Sequence, residues 1–166
     1  MLAIGIDPGT AITGFGLVRQ AANGDLLAIH WGAILTPPKL PAGERLAQIF
    51  TSLNEILTEF HPETAAVESL FFQRNVRTAM SVGQARGVVL LALEQAGIPV
   101  HDYNPNQVKQ AISGYGAADK RQVQNMVQML LKLAEQPKPD DVADALAVAI
   151  CHLNTLRTMQ AIARGS

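Results

Sequence analysis

The chain has 166 residues with a formal net charge of −1, and 48% of it is apolar, 16% charged and only 5% aromatic, which excludes a disordered or fibrous protein and predicts one domain spanning 1–166, built on aliphatic side chains. The single Cys151 excludes a disulfide framework and a cysteine-based zinc site. The longest apolar run, 87–93, falls well short of the ~20 residues that span a bilayer, and no basic leader opens the chain, so a cytoplasmic protein with no membrane segment is expected.

Residues 2–6 read as a buried strand running into the turn Asp7-Pro8-Gly9-Thr10, where proline presets φ and glycine supplies a permissive backbone. Residues 14–18 and 26–34 read as two further strands joined by a hairpin at Asn23-Gly24-Asp25, giving a three-strand antiparallel meander. Leu46, Ile49, Phe50, Leu53, Leu57 and Phe60 follow the helical period and end at His61-Pro62. A short strand, 64–67, then places Glu68 at its end, as Asp7 ends the first. Next comes a helix over about 76–96, with Gly83 and Gly87 four apart on a face suited to close approach by a neighbour or second subunit. A last strand at 98–103 and helices over 104–113, 119–134 and 141 to about 156 complete the chain, with the tail after about 157 expected to be flexible. This order does not alternate β and α regularly. It predicts an α/β protein with a five-stranded mixed sheet, the meander plus parallel strands, flanked by helices.

Asp141 and Asp144, three apart, project from one face of a helix start and can share a metal ion; helix capping and a favourable dipole would explain the pair equally if it stood alone. Asp7 taken singly is a turn-forming aspartate. Glu68 is less easily explained, because glutamate is depleted in strands and here follows Ala65-Ala66-Val67. Oxygen ligands without a histidine or cysteine set suit Mg²⁺ or Mn²⁺, and two such ions roughly 3.5–4 Å apart favour in-line phosphodiester hydrolysis.

Near-neutral overall charge argues against a nucleic-acid binder, yet the distribution is uneven. Residues 1–70 carry 3 basic and 7 acidic groups, whereas 71–122 carry 6 and 3. In that middle stretch Arg74, Arg77, Arg86, Lys109, Lys120 and Arg121 are candidate phosphate contacts, with Asn106, Gly114 and Gly116 nearby to let backbone amides approach. Each, singly, is also an ordinary solvated charge. Phe71 and Phe72 are adjacent, so both cannot face the core from a strand exit, and one is a candidate to stack on a base. His30, His61, His101 and the Cys151-His152 pair read as packing or surface residues.

Together these stretches resemble the RuvC family of Holliday-junction resolvases over nearly the whole chain. The likeness is carried by Gly5-Ile6-Asp7-Pro8-Gly9-Thr10 with Thr13-Gly14, by Glu68-Ser69-Leu70-Phe71, by Gly83-Gln84-Ala85-Arg86-Gly87, by Gln107-Val108-Lys109-Gln110 and by the run from Asp141 to Ala147. It implies an RNase H-like fold in which Asp7, Glu68, Asp141 and Asp144 match the catalytic metal-binding acids, Phe71 the base-contacting aromatic, and Lys109 and Lys120 the basic residues facing the junction. It further implies a homodimer that nicks opposing strands of a four-way DNA junction symmetrically in recombination and repair, using two Mg²⁺ ions or Mn²⁺, beside a RuvA–RuvB branch-migration complex. Alternatives are a related nuclease acting on RNA, or an actin-like or sugar-kinase phosphotransferase, whose Asp-x-Gly-Thr turn this chain shares without the second such turn those enzymes need. A non-catalytic junction-binding module would be expected to lack some of the four acids.

Overall fold

A computed structural model describes residues 1–69 and 76–164. Five strands form one sheet in the order β3-β2-β1-β4-β5, comprising β1 (Leu2–Asp7), β2 (Ile12–Gln20), β3 (Leu26–Leu35), β4 (Thr64–Glu68) and β5 (Val100–Tyr103). β1, β2 and β3 pair antiparallel, while β4 and β5 run parallel to β1. This is the expected mixed sheet.

Alternation along each strand divides the core in two. Leu2, Ile4 and Ile6 of β1, Phe15 and Leu17 of β2, and Ala65 and Val67 of β4 bury against α1 (Ala42–Phe60) and α2 (Val76–Gln95). Ala3, Val18 and Ala66 face the other way, onto α5 (Asp140–Arg164), which is itself packed against α3 (Pro105–Ser113) and α4 (Lys120–Leu130). The same period of two puts Asp7, in phase with Ala3, and Glu68, in phase with Ala66, on the α5 side of the sheet.

Small residues let α5 lie unusually close to that sheet. A methyl group at Gly5 would overlap the Ala145 carbonyl and the Ala149 amide, one at Gly14 would meet the Asp141 carbonyl, and one at Gly16 would meet the Leu146 side chain. Gly5 pairs with Gly16, and Asp7 pairs with Gly14, so the seat for the start of α5 lies beside the first acid.

Two helix ends differ from the sequence expectation. The expected 119–134 helix stops at Leu130, because Lys132 adopts a left-handed conformation (φ 53°) and the Leu133 amide bonds back to the Gln128 carbonyl at 2.9 Å. That reversal packs Leu131 and Leu133 into the core, so apolar residues that read as another helical turn are buried by a bend instead. The last helix, expected to end near 156, continues to Arg164, and the segment beyond 157 that was expected to be a flexible tail is helical as far as the described residues go. No glycine or proline interrupts 140–164, so the end of the buried stripe does not end the helix.

Candidate active site

Asp7 and Glu68 end the parallel neighbours β1 and β4, directly after the paired residues Ile6 and Val67. The turn that follows Asp7 is tied down from several sides. Thr13 Oγ1 donates to the Gly9 carbonyl at 2.7 Å, and Thr10 Oγ1 bonds Ser81 of α2 at 2.7 Å. Thr36 Oγ1 donates to the Thr10 carbonyl and accepts from Arg45 Nε at 2.8 Å. These bonds fix the direction in which Asp7 leaves the sheet.

The Asp7 and Glu68 carboxyls stand close enough to act directly on each other. Burial, followed by the charges of Glu68 and Asp144, pushes the Asp7 carboxyl up to about 8, and burial also raises Glu68. Asp141 and Asp144 come from the first turns of α5, and both act electrostatically on Asp7. Asp144 is raised by burial against the opposing pull of Lys120. The four acids singled out in the sequence thus share one end of the sheet.

Lys120, at the start of α4, places its Nζ 3.1 Å from Asp140 and 3.3 Å from Asp144. Burial works against its charge, but the two carboxylates outweigh this and raise its pKa, while Lys120 in turn lowers Asp140. Among the described residues, no three His, Cys, Asp or Glu side chains are drawn tightly enough together to hold a metal ion as they stand. The Lys120 ammonium offsets part of the anionic charge gathered at this end of the sheet. Beside them, Glu68, Asp144, Lys109 and Lys120 line a cleft of about 210 Å³ with Pro105, Val108, Val123 and Ala147.

The other candidate residues lie in different settings. Arg121 is exposed on the first turn of α4. Arg86 is engaged on the flank of the molecule, where its guanidinium bonds Asp102 of β5 at 2.7 Å and ties α2 to the sheet edge. Phe71, Phe72 and Arg74, and the side chain of Arg77, lie outside the described residues.

Sequence reasoning missed two features. The bridge from Lys120 to Asp140 and Asp144 had a signal, since acids four apart on one helix face invite a shared cation, but the cation lies in another helix. His152, read as packing, is fully buried and lies between Thr64 Oγ1, 2.8 Å from its Nε2, and the Tyr103 hydroxyl, 2.9 Å from its Nδ1. It links β4, β5 and α5 behind Glu68.

An α/β sheet of this order, with acids on the ends of two adjacent strands and on the helix crossing them, defines an RNase H-like nuclease fold. A model of the family described as crossover junction endodeoxyribonuclease RuvC matches residues 3–152. A crossover junction endodeoxyribonuclease RuvC of Chloroflexus aurantiacus is 59% identical over 160 residues, covering 96% of this chain and 97% of that protein. The Thermus thermophilus RuvC structure superimposes with a TM-score of 0.88 at 42% identity, covering 95% of this chain and 96% of the other. The structure of T. thermophilus RuvC in complex with a Holliday junction substrate gives a TM-score of 0.87 at 40% identity, with the same 95% and 96% coverage. The chain belongs to the RuvC family of crossover junction endodeoxyribonucleases.

Proposed function

We propose that this chain resolves four-way DNA junctions by paired, symmetric hydrolytic nicks, with Asp7, Glu68, Asp141 and Asp144 as its metal-binding catalytic acids. The observation that carries this reading is the meeting of Asp7 and Glu68, across adjacent parallel strands, with the acids of α5. The donor set fits hard divalent cations, Mg²⁺ or Mn²⁺, because it consists of carboxylates alone, three of them made costly to ionise by burial. A bound pair of such ions supplies activation of the attacking water and neutralisation of the charge that develops on the scissile phosphate.

The protein's own contribution is one of position and charge. For these carboxylates to hold a cation, Asp7 would have to be ionised and Lys120 would have to release Asp144. Lys120 is then free, with Lys109 and Arg121, to hold the phosphates flanking the cut. Arg86 is available for such a contact only if its bond to Asp102 breaks. Phe71, Arg74 and Arg77, in the stretch following Glu68, are proposed as further junction contacts on the strength of the sequence.

Symmetric cutting requires two copies. One stripe of α2, formed by Met80, Gly87 and Leu91, is open to solvent, with Met80 66% and Leu91 51% exposed and nothing within 4 Å of a methyl placed at Gly87. That supports a homodimer through α2; one domain per chain, and action beside a RuvA–RuvB branch-migration complex, are proposed on the family resemblance alone. No helix among the described residues is long and apolar enough to cross a membrane, and action on DNA in the cytoplasm follows from the same reading.

The test is to incubate the protein with an end-labelled four-way junction and with a linear duplex of the same arms, with and without Mg²⁺. Paired nicks on the junction alone, only with the metal, are expected. Equal cutting of the duplex, or metal-independent cutting, would overturn the reading.

A further inference from the structure

The loop between α3 and α4 carries an aromatic side chain that the protein itself does not use. Tyr115 is 66% exposed, and its ring and hydroxyl have no partner among the described residues. Its backbone, in contrast, is held firmly. Gly114 caps α3 in the left-handed region (φ 71°), and the Gln110 side-chain amide donates to the Gly114 carbonyl at 2.9 Å. Ser113 Oγ, whose one proton is shared between the Lys109 and Tyr115 carbonyls at 2.8 Å each, accepts from the Tyr115 amide at 3.2 Å, and the Ala118 amide donates to the Tyr115 carbonyl at 3.2 Å. Capping boxes on both sides, Asn104 with Gln107 and Asp119 with Gln122, fix the helices between which the loop is strung.

The position of the loop gives this exposed ring a use. Gly116 and Ala117, the next two residues, wall a groove of about 900 Å³ that runs along α3. Lys109 lines both this groove and the smaller cleft containing Glu68 and Asp144, so one cation stands between the two. Lone exposed aromatics are ordinary on protein surfaces, but a ring on a braced loop, at the rim of a cation-bearing groove leading from the candidate catalytic acids, has the features of a stacking platform for nucleic acid.

Resting on the junction-cutting reading above, we propose that Tyr115 is a second aromatic contact to the DNA, stacking on an accessible base of the junction strand that leaves the active site past Lys109. A ring face rather than a hydroxyl is the binding element, so recognition is tolerant of sequence and selective for DNA whose bases are not fully stacked on one another. Tyr115 acts in binding and not in the chemical step.

The experiment measures metal-free binding of wild type, Tyr115→Ala and Tyr115→Phe to a four-way junction and to a linear duplex, with single-turnover cleavage at saturating junction. Tyr115→Ala is expected to weaken junction binding about 5- to 150-fold, the loss corresponding to one base–aromatic stack. Duplex binding and the saturated cleavage rate should remain near wild type, and Tyr115→Phe should match wild type throughout. Tyr115→Trp in a Trp31→Phe background gives a direct readout, with tryptophan emission expected to be quenched by the junction. Unchanged junction affinity in Tyr115→Ala, equal loss on the duplex, equal loss in Tyr115→Phe, or unquenched emission would each overturn the assignment. Failure of the wild type to cut junctions would instead sink the reading on which it rests.

Discussion

Asp7 and Glu68, the last residues of two neighbouring parallel strands, bring their carboxyls close enough to act on each other, with Asp7 pushed up to about 8 by burial and by the charges around it. Burial and the neighbouring carboxylates make the charged form of Asp7 costly, a cost that a divalent cation would relieve. An acid raised from 3.8 to about 8 in the folded state releases its proton more readily when unfolded, so metal-free stability should fall as pH rises through that interval. Asp7→Asn imitates the protonated form. It should abolish cleavage while leaving metal-free junction binding intact. At pH 9 without divalent ions it should also raise the melting temperature over wild type by at least about 2–4 °C. Thermal scans at pH 5 and 9 check this, and an equal effect at both pH values would contradict it.

Lys120 is expected to show two opposed effects. Its ammonium occupies Asp144 and Asp140, so Lys120→Ala should tighten Mg²⁺ or Mn²⁺ binding to the DNA-free protein, read by calorimetry. The same change should lower the salt dependence of junction binding by about one unit if one phosphate contact is lost, as should Lys109→Ala, whose charge also acts on Glu68 but bridges neither Asp140 nor Asp144, so that its effect on metal affinity should be the smaller. Unaltered metal affinity in Lys120→Ala would show that the ion pair does not guard the site.

Gly14 lies under the Asp141 carbonyl, and Gly5 under the Ala145 carbonyl. Gly14→Ala should move the start of α5 away from Asp7, lowering stability by about 1–3 kcal/mol and reducing cleavage further than the folded fraction accounts for. Gly43→Ala, within α1 where an added methyl meets nothing within 4 Å, is the control and should leave cleavage unchanged while holding or slightly raising stability. Urea midpoints measured alongside single-turnover rates separate the two losses.

His152 is held near 4 by burial and by His101, well below its ordinary 6.5. The unfolded chain therefore takes up a proton that the folded one refuses, and stability contributed by the neutral ring is lost as pH falls from about 6.5 to about 4. The loss amounts to about 3 kcal/mol at the acid end. His152→Gln should be less stable at pH 7, with a flatter decline towards pH 4.5. Parallel declines in urea titrations would rule out His152 as the source.

Phe71 follows Glu68 by three residues, in the stretch outside the described structure. Phe71→Ala should impair junction cutting more than junction binding if its ring opens the crossover. Equal losses would favour a packing role.

The strand ends and the acids on them were legible in the sequence because strand residues alternate with a fixed period and an acid after an apolar run stands out. Asp7 and Glu68 show this directly. The pairing of Lys120 with Asp144 was hidden because helix order does not reveal which helices lie side by side. The early end of α4 was hidden for a related reason, since Leu131 and Leu133 are apolar in either conformation and only the bend at Lys132 distinguishes them. The seat formed by Gly5, Gly14 and Gly16 reads in sequence as scattered glycines, and its meaning emerges only when α5 is laid across them. Tyr115 gave no periodic signal because it belongs to no face.

The helix that fills the centre of one core layer is also the helix that delivers Asp141 and Asp144. Enlarging Ala145 or Ala149, deep in the hydrophobic interior, would therefore lever two carboxylates out of register while touching no substrate. In a family variant screened only for lost cutting, such a change would pass for a chemical defect. A shifted denaturant midpoint would expose it as a mechanical one.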